Sequence, residues 1–329
     1  MAIRLTAGTD DDGRRLDRIL RKALPDHPLS LIHRMLRRGE IRLDGKKAKP
    51  ESRILCGQVI EAGNLNITAT HTQKKYPVIT APLPEIITQG AGIVVFNKPA
   101  GLASQGPGSL DAIVKEGFRR TPEAQASLSF KPGPLHRLDR MTSGAIAFSK
   151  NLAGARLFTQ MLQEGKIGKT YLAIVEGEIP VQEEKAESWL LWDNILIRDK
   201  NAKKTFAAST GGKHARTRIR PLACRKGYTL IEAKIETGRT HQIRSQAAAN
   251  GHPLAGDVKY GGKPFAAGGY YRDTFFLHSW KLEFFIHEIE GLPKTVTAKP
   301  PEAFMSQIKS IFGQNFNCMR GVCTRRPKV

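Results

Sequence analysis

The sequence predicts an α+β protein: a mixed or antiparallel sheet domain preceded by a small unit of two helices and a hairpin. Three observations predict it. Residues 14–38 place apolar side chains at helical spacing, and an alternating segment with an Asp44-Gly45 turn follows at once. Residues 63–84, with Gly63, Pro77, Pro82 and Pro84, read as a linker. Residues 85–312 hold many alternating or continuously apolar runs with few helices between them, which favours a mixed sheet over a doubly wound one.

The elements follow in order. Leu16, Ile19, Leu20 and Ala23 form one helical face, closed by Pro25 and Pro28. Ser30 reads as the N-cap of a second helix whose stripe is Leu31, Ile32, Met35 and Leu36, and Gly39 as the residue just past its end. Glu40–Leu43 alternates as a strand, Lys46–Pro50 returns from the turn, and Gly57–Glu61 adds a further strand. The small unit is expected to span 13–62 and the larger domain 85–312. Ile93–Phe96 leads into Asn97-Lys98-Pro99-Ala100-Gly101, and a short helix is expected over Leu110–Phe118. A helix over Asn151–Gln163, a strong strand over Lys169–Gly177 and another over Thr229–Glu236 follow. Residues 178–215 are polar and Lys-rich and read as edge strands and loops. Ser245–Asn250 reads as a short helix, and Phe275–Ser279 and Leu282–Phe285 as late strands. Residues 313–329 read as a basic flexible tail.

Among 329 residues, 52 Lys+Arg face 30 Asp+Glu, a formal net charge of +22, which points to a polyanionic partner and to nucleic acid before membrane. No run of 18 apolar residues predicts a membrane span, and Met1–Leu5 lacks the apolar core of a signal peptide, so a cytoplasmic protein is expected. Cys56, Cys224, Cys318 and Cys323 are too few and too scattered for a disulfide framework, and Cys318/Cys323 do not match zinc spacing. Gly165–Thr170 falls short of a phosphate-binding loop because Gln163 stands where glycine is needed. There is no nucleophile elbow and no dinucleotide fingerprint. His136, His241, His252 and His278 lack the short spacing of a zinc site, and each reads as a structural hydrogen bonder. No metal and no nucleotide cofactor are expected.

The chemistry-bearing stretch is His136–Gly144, where Asp139 stands between Arg137 and Arg140. Opposite charges nearby favour the charged carboxylate, a poor acid but a plausible nucleophile or electrostatic stabiliser. A structural Arg–Asp pair in a loop is the plainer reading of the same residues. Residues 13–53 carry 13 Lys/Arg against 5 Asp/Glu. This one-signed excess favours a phosphate-tracking surface on the second helix and hairpin over a merely solvated face.

Two resemblances sharpen these readings. Arg15–Leu20 with Ser30–Lys47 resembles the S-four RNA-binding domain, which implies that His33, Arg34, Arg37 and Arg38 meet structured RNA. His136–Gly144, Asn97–Gly101, Lys169–Ala173, Gly238–Arg244 and Leu254–Asp257 resemble, in the same order, the motifs of the RluA-type pseudouridine synthases. Leu31–Pro50 further resembles their large-subunit ribosomal RNA synthase C subgroup. The resemblance implies that Asp139 is the central acid, that Arg244 pairs with it, and that Tyr171 stacks on the base and removes its C5 proton. It implies that Arg137 fills the space of a flipped base and that Lys98, Arg140 and Arg239 contact RNA. The implied reaction isomerises uridine in RNA, with ribosomal RNA ahead of transfer RNA as substrate. It needs no cofactor and is expected of a monomer. Met141 stands where the family usually has an acid. Two competing readings are glycoside hydrolysis by Asp139 with Asp257 and a non-enzymatic RNA-binding or assembly factor.

Overall fold

A computed structural model describes residues 3–63, 82–118, 121, 127–181, 189–264, 274–286 and 289–314. Most of the expected linker and nearly all of the expected tail, with Cys318 and Cys323, lie outside them.

The N-terminal unit consists of β1 (Ile3–Thr6), α1 (Leu16–Ala23), α2 (Leu29–Arg38), β2 (Ile41–Leu43), β3 (Lys46–Lys47) and β4 (Val59–Ala62). Its sheet runs β1-β4-β2-β3. Leu16, Ile19, Leu20, Ile32, Leu36 and Ile41 are fully buried in its own core, so the helical stripes read from the sequence are the buried faces. Asp44 and Gly45 both take positive φ, 49° and 74°, as the hairpin turn requires. Two expectations change. The unit begins at β1 rather than residue 13, because Ile3–Thr6 pairs with Val59–Ala62. Ser30 is not the N-cap: α2 starts at Leu29 behind Pro28, with no side-chain cap.

The larger unit holds β5 (Ile86–Gly90), β6 (Ile93–Lys98), α3 (Leu110–Phe118), β7 (Gly133–Pro134), β8 (Ser143–Ser149), α4 (Leu152–Gln163) and β9 (Ile167–Glu176). It continues through β10 (Leu190–Asp199), β11 (Lys204–Ala208), β12 (Lys213–Arg225), β13 (Tyr228–Ile235), α5 (Gln242–Ala249), β14 (Leu277–Phe284), β15 (Thr295–Thr297) and α6 (Glu302–Phe312). The sheet order is β11-β10-β12-β13-β9-β14-β8-β6-β5, with β7 on β8 and β15 on β14. Only the β14–β8 pairing is parallel among the described strands. The fold is thus the expected mixed sheet.

Residues 190–215 are more regular than their charge suggests. In β12, Ala215, Thr217 and Ile219 point inward and are fully buried, while His214, Arg216 and Arg218 alternate with them outward. Asp193 and Glu236 meet those outward cations. The two late strands are one, β14, with a bulge between Ser279 and Lys281.

The units are docked by carboxylates. Asp11 is fully buried and accepts from Leu128 N at 2.7 Å and from the hydroxyls of Ser127 and Ser129 at 3.1 and 2.6 Å. Asp10 accepts from Leu152 N at 2.9 Å, at the start of α4. Leu128 packs against the N-terminal core.

Candidate active site

The centre of the sheet places Tyr171 on β9 and Ser279 opposite it on β14. Beside them, Asp139 sits on the loop between β7 and β8. Gly144, the second residue of β8, has φ 107°, and a Cβ there would collide with Ser279 O, so the close approach of β8 to β14 requires glycine.

The loop is held from the other side by residues 98–104. Lys98 Nζ donates to the carbonyls of Leu102, Pro99 and Arg140 at 2.7, 2.9 and 3.1 Å. Ser104 Oγ donates to Leu138 O at 2.7 Å and accepts from Leu138 N at 3.0 Å. Lys98 is therefore not an RNA contact: it is fully buried, and burial lowers its pKa to about 7 against the weaker pull of Asp139. Its three carbonyl acceptors use all three ammonium donors. Arg140 likewise turns away from Asp139 and donates to Gly101 O at 2.9 Å. Arg137 is exposed at the cleft and makes no ion pair among the described residues. The two arginines flanking Asp139 in sequence are thus not its partners.

Its partners come from the turn between β13 and α5. Gln242 organises that turn, accepting from Thr237 Oγ1 and Arg239 N and donating to Arg216 O and Thr217 Oγ1. Arg244, in the first turn of α5, reaches Asp139 Oδ2 with Nη1 at 3.3 Å. Its Nε and Nη2 are taken by Asp257 at 2.7 and 2.8 Å, a two-pronged pair buried from solvent. The guanidinium also lies over the Phe275 and Tyr260 rings, 4.2 and 4.8 Å from their centroids. Burial opposes this charge, but Asp257 and then Asp139 outweigh it and hold the Arg244 pKa above its ordinary value. Gly256, at φ 84°, lets the chain carry Asp257 past Thr274 O, which a Cβ would strike.

His241 lies closer to the chemistry than the sequence suggests. It adopts φ 53°, a strained conformation for a non-glycine residue, with Nε2 3.8 Å from Asp139 Oδ1. Its Nδ1 is 2.8 Å from the Tyr260 hydroxyl, which accepts from Thr205 N at 2.8 Å. The other ring nitrogen, Nε2, is the one that faces Asp139. Burial lowers the His241 pKa against the raising effect of Asp139. The sequence does not single out His241, Tyr260 and Phe275 as site residues, because their roles depend on contacts made across the fold. Asp257, the second carboxylate of the glycosidase reading, is tied here to Arg244.

Tyr171 is buried, and burial followed by the Asp139 charge pushes its phenol well above the ordinary value, against a hydrogen bond with Ser279. Met141 packs against the main core. Arg239 is exposed at the cleft and donates to His214 O at 2.9 Å. His136 is stacked on Phe158, His252 meets Glu176 O, and His278 bridges Ser143 and Ala298 O. On α2, Arg34, Arg37 and Arg38 are exposed, while His33 leans on Asp17 at 3.7 Å. No three described His, Cys, Asp or Glu residues are placed to hold a metal ion, and no described helix is long and apolar enough to cross a membrane.

One cleft joins Asp139, Tyr171, Arg137, His241 and Arg244. Residues 92–249 match the RNA pseudouridylate synthase family. Ribosomal large subunit pseudouridine synthase C of Escherichia coli K12 is 32% identical over 291 residues, 86% of this chain and 89% of that protein. The protein of the same name from Haemophilus influenzae is 30% identical over 285 residues, 85% and 86% of the two chains. Among solved structures, human RNA Pseudouridylate Synthase Domain Containing 4 superposes with a TM-score of 0.53 at 20% identity, covering 68% of this chain and 91% of that one, which shows the shared fold. Similarity at this level along most of both bacterial chains leads to one conclusion: the chain belongs to the RNA pseudouridylate synthase family.

Proposed function

We propose that the protein converts uridine to pseudouridine in large-subunit ribosomal RNA, with Asp139 as the catalytic carboxylate. The observation that carries this reading is Asp139 in an open cleft, met by Arg244 at 3.3 Å and bordered by the Tyr171 ring. The names of the bacterial relatives support the ribosomal substrate and, with it, a cytoplasmic setting.

In this reading a uridine is flipped out of the RNA and its base stacks on Tyr171. The carboxylate of Asp139 attacks the nucleoside or stabilises the cationic sugar or its glycal as the N1–C1′ bond breaks. The base turns, C5 bonds to C1′, the C5 proton leaves and N1 gains a proton, so no net electrons, water or phosphate are exchanged. Arg244 and His241 Nε2 orient the carboxylate from two sides. Tyr171 acts as a platform, because its raised pKa makes the phenolate scarce, and this leaves Asp139, once free of the sugar, to accept the C5 proton. Arg137 fills the space left in the RNA stack, with Arg239 beside it on the rim.

The test is Asp139→Asn on unmodified large-subunit ribosomal RNA labelled with tritium at C5. Tritium release should disappear while RNA affinity stays within a few-fold. Normal release by the variant overturns the mechanism.

A further inference from the structure

Lys169 is a cation for which the fold supplies no anion among the described residues. It lies on β9 two residues before Tyr171, so the two side chains share a face, about 6–7 Å apart along the strand. Ile235, which lines the active-site cleft, stands opposite it on β13, and Leu282 stands opposite on β14. Neither neighbour offers a polar atom from its side chain. The nearby ring of His136 offers none either: its Nε2 accepts from Ala147 N at 3.0 Å, so its proton lies on the buried Nδ1. Burial and the Lys169 charge both keep that ring neutral. Among the described residues Lys169 has no hydrogen-bond acceptor and no carboxylate partner.

Lys98 shows what this fold does with a buried ammonium that serves structure alone, giving it three carbonyl acceptors. Lys169 receives none, though it is half-buried and burial lowers its pKa to about 8. A site that needed only packing between Ile235 and Leu282 would be better filled by an apolar side chain, because desolvating an unpaired charge is costly.

We infer that Lys169 forms an anion subsite for the RNA phosphate adjoining the uridine that stacks on Tyr171. The inference rests on the function proposed above and deepens it. The cation sits two residues from the base platform on the same face of β9, beside Ile235 of the cleft wall. It fixes the target strand as it enters the cleft, and its contact carries no base identity.

The test compares wild type with Lys169→Met, Lys169→Gln and Lys169→Arg for binding to unmodified large-subunit ribosomal RNA between 50 and 300 mM KCl, with thermal melting as a check on folding. Removing one phosphate-binding cation should weaken binding by roughly tenfold in the Met and Gln variants and reduce the slope of log affinity against log salt by about 0.7–0.9. Lys169→Arg should keep the wild-type slope. Unchanged affinity and slope in a folded Met or Gln variant overturn the inference and show a lysine that merely extends its head into water. Tritium release by wild type is read separately: its absence would defeat the proposed reaction, while the salt slope still decides the subsite.

Discussion

Arg244 meets Asp139 with the guanidinium edge that its double hydrogen bond to Asp257 leaves free. The active carboxylate is therefore positioned at one remove, by a buried acid that does not itself border the cleft. Fixing the guanidinium first means that little rotamer freedom remains to be lost when Asp139 engages it.

Asp257→Ala should accordingly act on both stability and rate. It strands a buried guanidinium, and breaking such a pair costs about 3–5 kcal/mol. Urea unfolding measures that loss. Asp257→Asn keeps the shape and should cost less stability, yet slow single-turnover pseudouridine formation by about 100-fold through misplacement of Arg244. A folded Asn variant with the wild-type rate would show that Asp257 has no part in positioning.

Tyr171→Phe keeps the ring, and because the phenol is held protonated by burial and by Asp139, the rate should remain within about tenfold of wild type. Tyr171→Ala removes the stacking surface, worth about 1–3 kcal/mol per base, and should fall far below the Phe variant. Single-turnover tritium release compares them. Equal inactivity of the two would assign the hydroxyl a direct chemical role.

Stability should fall on mild acidification through His278. Burial pushes its pKa down to about 4 from an ordinary 6.5, against a weaker raising hydrogen bond to Ala298 O. The unfolded chain therefore binds the proton first, so this contribution is intact above about pH 6.5 and is lost as pH falls towards 4. Between pH 7.5 and 5 the loss is about 2 kcal/mol. His136, lowered by burial and by Lys169, acts in the same direction. Urea midpoints of wild type and His278→Asn at the two pH values isolate the effect. An equal drop in both proteins would refute it.

Replacing Arg34, Arg37 and Arg38 together with Gln should weaken RNA binding and shrink the salt slope by nearly one unit for each phosphate that these arginines neutralise. Deleting the N-terminal unit is a poorer test. Asp11 and Leu128 tie it to the larger unit, so truncation would also expose Ser127, Ser129 and the start of α4. An unchanged slope in the triple variant would mark this helix face as merely solvated.

Local information gave the periodic elements. The stripes of α1 and α2, the Asp44-Gly45 turn, α3 and the cores of β9 and β13 depend on spacing within one element, and their residues state it directly. The outer strands β10 to β12 were harder to see, because Lys and Arg on the outward face masked the alternation of Ala215, Thr217 and Ile219. No element is expected from the sequence over residues 302–312, although Phe304, Ile308 and Ile311 stand at helical spacing; they form α6 and bury against the far side of the sheet.

The sequence by itself determined the motifs, the polyanionic character of the partner and the candidacy of Asp139, Tyr171 and Arg244, since residue type and order carry that much. The motif resemblance implied which cation serves Asp139, and only the tertiary structure brought the two together. Arg137 and Arg140, its near neighbours in the chain, point elsewhere, while Arg244, 105 residues away, reaches it. It also drew Lys98 inward, brought His241 and Asp257 to the site, and left Lys169 without an acceptor among the described residues. The reason is physical: charge interactions depend on distance through space and on burial, and both are set by how β9, β14 and α5 pack together.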